Sequence, residues 1–339
     1  MITSLHIKNY GIHREICWSN LGKINLIIGE NSCGKSFILK SIYTGMKTVE
    51  AAKRGQNNKT EAQILFDKLY WTFQADSIGD LVRKPFNGSL EYTLATTDGT
   101  FAYSFGESTA KAINVVENGC GARASNSIYI PEKEVLSIYG IIQKSREQDS
   151  VFGFDDTYYD LVKAISIPRQ KGRNYEAFAQ GRDALRDIIG GSVDYDASRN
   201  TWAYMQGKTR FSIGVAAEGI KKIATLDQLL GNRYLDNNSV LIFDEPESGI
   251  HPSAITKLMD LLWMLASSGM QIFIATHSYF VLKKLYLLAT QNNVSIPLLS
   301  LKKQESVVPA YYDLKDGLPD NPIVEESVRL YDEEVSGVL

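Results

Sequence analysis

Three short stretches of the chain carry residue types that suit phosphate chemistry. The first, GENSCGKS at residues 29–36, matches the pattern GxxxxGK[ST] between the apolar run INLIIG and an amphipathic stretch that begins SFILKS. Glycines let backbone N–H groups converge on phosphate oxygens, and the N-terminus of a following helix adds positive potential. Lys35 would reach the β- and γ-phosphates, and the Ser36 hydroxyl would ligate Mg²⁺. The predicted nucleotide contacts are Gly29, Glu30, Asn31, Ser32, Cys33, Gly34, Lys35, Ser36 and Phe37.

The second stretch, SVLIFDEPESGIHP, places two carboxylates directly after an apolar run. In open α/β sheets, ligands bind at the carboxyl ends of the strands, where Asp244 and Glu245 would emerge. Asp244 can hold Mg²⁺ through water, and Glu245 can polarise an attacking water. Taken alone, such a strand end is equally well explained as a solvated acidic turn. Its combination with the phosphate loop (residues 29–36) favours catalysis.

The third stretch, QIFIATHSYF, is another apolar run that ends in Thr276, His277 and Ser278. A histidine at the end of a parallel strand is well placed to contact a γ-phosphate, although a single histidine there is more often a surface or capping residue. We therefore predict Lys35, Glu245 and His277 as catalytic residues, with Ser36 and Asp244 as the metal ligands.

The surrounding elements fit an α/β protein with a mixed central sheet. Short strands begin the chain, residues 61–75 have a helical pattern, and residues 89–105 alternate as a hairpin does. Residues 145–200 are irregular around one helical stretch, EAFAQGRDALRDIIGG. From residue 201 onward strands alternate with helices, which predicts parallel strands with helices packed on both faces.

Composition narrows the cellular setting. The chain of 339 residues is 44% apolar with a net charge of −3, so binding of nucleic acid would require a local basic face. No apolar run is long enough for a membrane helix, and the first residues lack a secretory pattern. Cys17, Cys33 and Cys120 are scattered without CxxC pairing. We expect free thiols, no structural zinc and a cytoplasmic protein without membrane attachment.

The chain resembles the ABC-type ATPase heads of the SMC, RecF and OLD group. The resemblance rests on KNYGIH near the start, followed in order by GENSCGKS, FDEPESGIHP and ATHS. The chain is most similar to the stand-alone prokaryotic OLD-like AAA ATPases found in defence systems. The resemblance implies a P-loop, ABC-ATPase-like fold with an N-terminal antiparallel β subdomain and a helical insertion. It implies an ATPase domain over residues 1–300, interrupted at about 140–200, and an acidic extension over residues 301–339. ATP and Mg²⁺ would be its cofactors, and ADP and phosphate its products.

The resemblance also implies that two heads hold ATP between them, each supplying a signature loop to the other. The segment AAEGIKK resembles that loop, with Gly219 at the start of a helix and Ala217 where the family usually has serine. Backbone donors at Gly219 remain, but one hydroxyl contact is lost. We expect slow or partner-stimulated hydrolysis in a homodimer, with a higher oligomer left open. The alternative is an ordinary helix with a glycine near its start.

Several positions have two interpretations. His251 either lies at the dimer interface or caps the helix that begins near Pro252. The glutamine that the resemblance implies near Mg²⁺ has no clear position; Gln143 and the turn at residues 131–133 are candidates. Tyr10 and His13 either flank adenine or, for Tyr10, belong to the core.

Two functions remain on the sequence alone. A basic cluster is either a DNA-binding face or a solvated one; it comprises Lys163, Arg169, Lys171, Arg173, Arg182 and Arg186. OLD proteins append a nuclease domain, but fewer than fifty residues follow the last ATPase helix, so a nuclease would act in trans. We expect an ATP-gated scaffold for a separate effector, a nuclease or toxin, in anti-phage defence. The alternative is a RecF-like DNA-binding ATPase in repair. The tail helix would pack on its own head or dock a partner.

Overall fold

A computed structural model describes residues 1–338, except 55–57, 86–87, 111, 173, 197–198, 200, 305 and 320. Its strands are β1 (Ile2–Tyr10), β2 (His13–Trp18), β3 (Ile24–Gly29), β4 (Ser89–Thr96), β5 (Gly99–Gly106), β6 (Val115–Asn118), β7 (Ser127–Ile130), β8 (Ser192–Asp196), β9 (Thr201–Gln206), β10 (Thr209–Ser212), β11 (Val240–Asp244), β12 (Gln271–Thr276), β13 (Pro297–Lys303) and β14 (Val307–Asp313). Its α-helices are α1 (Lys35–Lys53), α2 (Glu61–Phe73), α3 (Tyr139–Glu147), α4 (Asp156–Ser166), α5 (Glu176–Ile189), α6 (Glu218–Gly231), α7 (Pro252–Ser267), α8 (Tyr279–Asn292) and α9 (Pro322–Val338).

The central sheet has the strand order β14-β13-β3-β12-β11-β7. Strands β13, β3, β12, β11 and β7 run parallel, and β14 pairs antiparallel at one edge. Every residue of β3, β11 and β12 is buried, which explains their continuous apolar sequences. The predicted α/β fold with a mixed central sheet is confirmed.

Two apolar cores cover the two faces of this sheet. In β3, Ile24, Leu26 and Ile28 belong to one core and Ile27 to the other, as the two-residue period of a strand requires. Helix α1 packs on the second face, against β12, β7 and β11. Helices α4 to α8 contribute to the core on the first face.

A separate antiparallel sheet forms the N-terminal β subdomain, with the order β2-β1-β4-β5-β6. The predicted hairpin is β4 and β5. Pairing of β1 with β2 brings His6 opposite Cys17. With Glu15 these side chains form a group whose ligand atoms lie within 4.8 Å of one another, a proximity that their sequence spacing did not indicate. All three cysteines are free.

The insertion comprises α3, α4 and α5, and it continues into a small sheet of order β10-β9-β8. Helix α5 matches the predicted helical stretch. A partly buried polar network joins the insertion to α1: the Tyr43 hydroxyl donates to Asp160 at 2.6 Å, and Lys68 of α2 donates to the same carboxylate at 2.9 Å. The insertion is thereby fixed to the helix that follows the phosphate loop.

The expected domain boundary at residue 300 lies inside strand β13. This strand pairs parallel with β3, and β14 continues the sheet to Asp313, so residues 301–313 belong to the central sheet. The acidic composition of the last residues suggested a boundary at residue 300. That boundary is too early, because the apolar segment LLSLKK forms most of β13 and runs across it. Within the described ranges, no helix has the length and apolar character needed to cross a membrane.

Candidate nucleotide-binding site

The phosphate loop reverses direction sharply between β3 and α1. Gly29, Ser32 and Gly34 have positive φ angles of 154°, 64° and 79°. A Cβ atom on Gly29 would lie 2.5 Å from the carbonyl oxygen of Leu301, and one on Gly34 would lie 2.5 Å from Nε2 of His13. Both glycines are therefore required by conformation and by close packing.

Lys35 is buried at the start of α1, and its Nζ donates to the carbonyl oxygens of Gly29 at 2.9 Å and Glu30 at 3.0 Å. Its ammonium is thus positioned by the loop itself, and phosphate oxygens would replace these carbonyls as acceptors. The other predicted contacts differ in exposure. Glu30, Asn31 and Ser32 are exposed, Gly34, Ser36 and Phe37 are half-buried, and Gly29 and Cys33 are buried.

The aromatic residues near the loop belong to the core. Tyr10 is fully buried, and its ring meets that of Phe37 edge-on at a centroid distance of 4.9 Å. Phe37 also contacts Phe73, so its side chain supports the loop from behind. His13 lies beside the loop, with Nε2 3.3 Å from the Gly34 carbonyl oxygen. Burial lowers the pKa of His13 to about 4. The core interpretation of Tyr10 is therefore the correct one.

Asp244 ends β11 with a buried carboxylate. Its Oδ2 accepts a hydrogen bond of 2.8 Å from the Tyr129 hydroxyl, whereas Oδ1 is buried without a partner among the described residues. Burial raises the pKa of Asp244, and the neighbouring Ser36 hydroxyl opposes that shift. A buried carboxylate oxygen without a donor is costly unless a cation or water satisfies it. Asp244 beside Ser36 therefore fits Mg²⁺, which prefers oxygen ligands.

Glu245 is held at three points. Its φ angle of 43° is in the left-handed region, which a non-glycine residue occupies only when its surroundings enforce it. Its N–H donates to the carbonyl of Ala275 at 2.9 Å, and its carbonyl accepts from Nζ of Lys222 at 2.8 Å. Its Oε1 lies 3.0 Å from Nδ1 of His277. The carboxylate is thus aimed from a fixed backbone.

Because β3, β12 and β11 are neighbours, the carboxyl edge formed by the ends of these strands brings the three sequence stretches together. Lys35 and Ser36 follow β3, His277 follows β12, and Asp244 and Glu245 lie at the end of β11. Every residue predicted as catalytic or metal-ligating lies at this edge.

The sequence analysis missed Glu247. Its Oε1 accepts hydrogen bonds from the Thr276 hydroxyl at 2.5 Å and from the backbone N–H of His277 at 3.1 Å, and Oε2 is buried without a partner among the described residues. This carboxylate fixes the end of β12 against the end of β11. The available signal was a third carboxylate within DEPE, two residues beyond Glu245.

Lys222 was also missed. It lies on α6, one turn beyond Gly219, and burial lowers its pKa to about 8. Gly219 is buried, and a Cβ atom there would lie 2.4 Å from the carbonyl oxygen of Gly249. Ala217 and Glu218 are exposed at the start of α6. Helix α6 thus contacts the segment after Glu245 in the same chain, and its first residues face outward.

The remaining candidates are placed as follows. His251 caps α7, because its Nδ1 accepts from the backbone N–H of Ser253 at 3.3 Å. Gln143 lies on α3, where its side chain is 3.5 Å from the Tyr139 hydroxyl. The turn at residues 131–133 follows β7, the neighbour of β11, and so reaches the carboxyl edge.

Part of the predicted basic cluster pairs with a buried carboxylate. Nη2 of Arg169 donates to Asp227 of α6 at 2.6 Å, Nε of Arg182 donates to it at 2.8 Å, and Arg186 lies 3.8 Å away. Lys163 and Lys171 are exposed, and Arg173 lies outside the described residues. Arg169 and Arg182 thus compensate the buried carboxylate of Asp227.

Fold and site together define an α/β domain with a P-loop. Residues 24–283 match the family described as "AAA domain, putative AbiEii toxin, Type IV TA system", and the chain belongs to this family.

A solved structure supports the fold. An SMC head bound to the C-winged helix domain of ScpA superposes with a TM-score of 0.55 at 13% identity, covering 93% of this chain and 98% of that one. An SMC head domain from Thermotoga maritima has a TM-score of 0.47 at 14% identity, covering 92% and 98%. A 42-residue segment is 48% identical to the uncharacterized protein MJECL10 of Methanocaldococcus jannaschii, and it spans 12% of this chain and 19% of that protein.

Proposed function

We propose that this chain hydrolyses ATP at the carboxyl edge. The observation that carries the proposal is the buried Oδ1 of Asp244 beside Ser36, which has no partner in the described part of the chain, next to a Glu245 carboxylate held by His277. Asp244 and Ser36 would hold Mg²⁺, which when bound neutralises phosphate charge. Lys35 would donate to the phosphate oxygens in place of the loop carbonyls.

In the proposed reaction, Glu245 accepts a proton from the attacking water as the water oxygen bonds to the γ-phosphorus. The bond from that phosphorus to the bridging oxygen breaks, which leaves ADP and inorganic phosphate. His277 orients Glu245 through Nδ1. Contact of its Nε2 with a phosphate oxygen would require the imidazolium form, in which both ring nitrogens donate.

We further propose that two copies hold ATP between their heads. The exposed start of α6, at Ala217 and Glu218, supports this arrangement because it is available to a second copy. Ala217 offers no hydroxyl, and the Glu218 carboxylate would repel phosphate. Both features favour slow or stimulated turnover. The ATPase unit in this proposal spans residues 1–313, with the insertion beginning at α3 and α9 as the extension.

The role that we infer is ATP-gated control of a separate effector, a nuclease or toxin, in prokaryotic anti-phage defence of the OLD-like type. The family description names a toxin of a toxin–antitoxin system, and the SMC head of similar fold is bound to a domain of a separate protein. The alternative, a RecF-like DNA-binding ATPase, is less well supported because three arginines of the basic cluster converge on Asp227.

Calorimetric titration with ATP and Mg²⁺ tests the site. Lys35→Ala should abolish binding, whereas Lys53→Ala, at the far end of the same helix and 3.8 Å from Glu61, should leave it unchanged. Equal affinity of the Lys35→Ala variant and the native protein would refute the assignment of the phosphate loop.

A further inference from the structure

Helix α9 lies against the carboxyl edge rather than away from it. A cavity of about 410 Å³ separates α9 from the phosphate loop. One side is lined by Gly29, Glu30, Asn31, His277 and Tyr279, and the other by Pro322, Ile323, Glu326, Ser327 and Leu330. The C-terminal helix thus forms a wall of the space into which the phosphate loop and His277 open.

Among the described residues, the contacts that hold helix α9 lie near its start. Asn321 is fully buried, and its Oδ1 accepts from the backbone N–H groups of Ile323 at 3.0 Å and Val324 at 3.2 Å. Ile323 and Val324 pack against the core. Farther along, the helix is exposed: Val328 is 52% and Tyr331 64% accessible. Few buried apolar contacts allow local opening at low cost, so the exposed part can move while the start stays in place.

The charge of α9 opposes that of a nucleotide. Its sequence contains five acidic residues and one arginine. Arg329 is engaged within the helix, with hydrogen bonds of 2.7 and 2.8 Å to Glu326 and 2.8 Å to Glu333. The bond to Arg329 lowers the pKa of Glu326, which is therefore ionised at neutral pH. A carboxylate and a triphosphate lining one partly enclosed space repel each other.

We propose that α9 is an acidic lid that competes with the triphosphate, so that nucleotide binding releases the helix beyond Val324. This inference rests on the proposed function, since it requires a nucleotide at the phosphate loop. Release would move the exposed apolar residues Val328 and Tyr331, and it would thereby report nucleotide occupancy at the protein surface.

Affinity for a non-hydrolysable ATP analogue tests the competition in the full-length chain. Glu326→Gln removes a carboxylate from the cavity and leaves Arg329 with Glu333 as its charged partner, so the Kd should fall about threefold at low salt, and the gain should shrink as salt rises. Glu334→Gln removes one negative charge from the same helix at a position outside the cavity lining, and it should leave the Kd unchanged. An unchanged Kd for Glu326→Gln, or an equal decrease of the Kd in both variants, would contradict the proposal that α9 is a lid.

Amide hydrogen exchange tests the movement. Addition of the analogue to the native protein should speed exchange at residues 325–338, while the core strand β3 stays protected. Slower or unchanged exchange in α9 would contradict the proposal that nucleotide binding releases this helix. Lys35→Ala should show no response to the analogue. A native protein that binds no analogue would refute the proposed function itself, whereas binding without a response of α9 refutes only the lid.

Discussion

At the scale of single residues, the backbone of Glu245 is held in a strained conformation. A left-handed φ angle of 43° is maintained by hydrogen bonds to Ala275 and Lys222, and the side chain is aimed by His277. The placement of Lys35, Ser36 and Asp244 at the carboxyl edge was predictable because it follows from local strand and loop patterns. Glu247 and Lys222 were not, because their contacts join segments that meet only in the folded chain.

Lys222→Met tests the support of Glu245. The substitution removes the donor to the half-buried Glu245 carbonyl, and loss of such a hydrogen bond costs about 1 kcal/mol, which weakens the support of a strained residue. We expect kcat for ATP hydrolysis to fall about tenfold with little change in the Kd for ATP. The control is Lys221→Met, which removes the neighbouring lysine that pairs with Glu134 at 3.4 Å. A similar loss of kcat in both variants would contradict a specific role for Lys222.

The lowered pKa of His13 predicts that the free energy of unfolding decreases in acid. Its pKa is about 4 in the folded chain and 6.5 in the reference state, so the unfolded chain binds more protons between these values. Its contribution to stability is complete above pH 6.5 and decreases as the pH falls to about 4, by about 3 kcal/mol in total. Below pH 4 this contribution stays constant.

Denaturant titrations of the native protein and of His13→Asn over this pH range measure the effect. The free energy of unfolding should depend less on pH in the variant, whereas His6→Asn, at a more exposed histidine, should retain the native dependence. If the free energy of unfolding depended on pH in the same way in the native protein and in His13→Asn, His13 would not contribute to the pH dependence of stability.

At the scale of elements, helix α6 connects two parts of the site. In its first turn, Gly219 packs closely against the carbonyl of Gly249. In its second turn, Nζ of Lys222 donates a hydrogen bond to the carbonyl of Glu245. The glycine was predictable as a loop feature, but its tight packing was not, because its partner lies thirty residues farther along the chain. For the same reason β13 was not recognised. A short strand is stabilised by pairing with its neighbour, here β3, and the local sequence does not show that pairing.

Gly219→Ala tests that packing. The added methyl group would lie 2.4 Å from a backbone oxygen, so α6 or the segment at residues 248–251 must shift. We expect a loss of about 1–3 kcal/mol in stability together with reduced ATP hydrolysis. Gly214→Ala is the matched control, since its nearest neighbour is 3.9 Å away. Native stability of Gly219→Ala, measured by thermal unfolding, would contradict the contact.

At the scale of the whole molecule, Arg169 and Arg182 of the basic cluster join the insertion to α6 through Asp227. Arg169→Ala would leave Asp227 with fewer partners and the Val193 carbonyl without a donor from Arg169. We expect a loss of about 3 kcal/mol or more in stability, because a buried carboxylate loses part of its compensation. Retention of duplex DNA at moderate salt should be absent in both proteins. Salt-dependent retention that disappears in this variant at native stability would favour the DNA-binding alternative.

The central claim is that two copies close around ATP. Glu245→Gln keeps the shape of the site and removes the base, so the variant should bind ATP and Mg²⁺ without completing hydrolysis. Light scattering during gel filtration should then give about twice the chain mass of 37.8 kDa with ATP and the single chain mass without it. A variant that binds ATP with native affinity and keeps the single chain mass at every protein concentration would contradict the account.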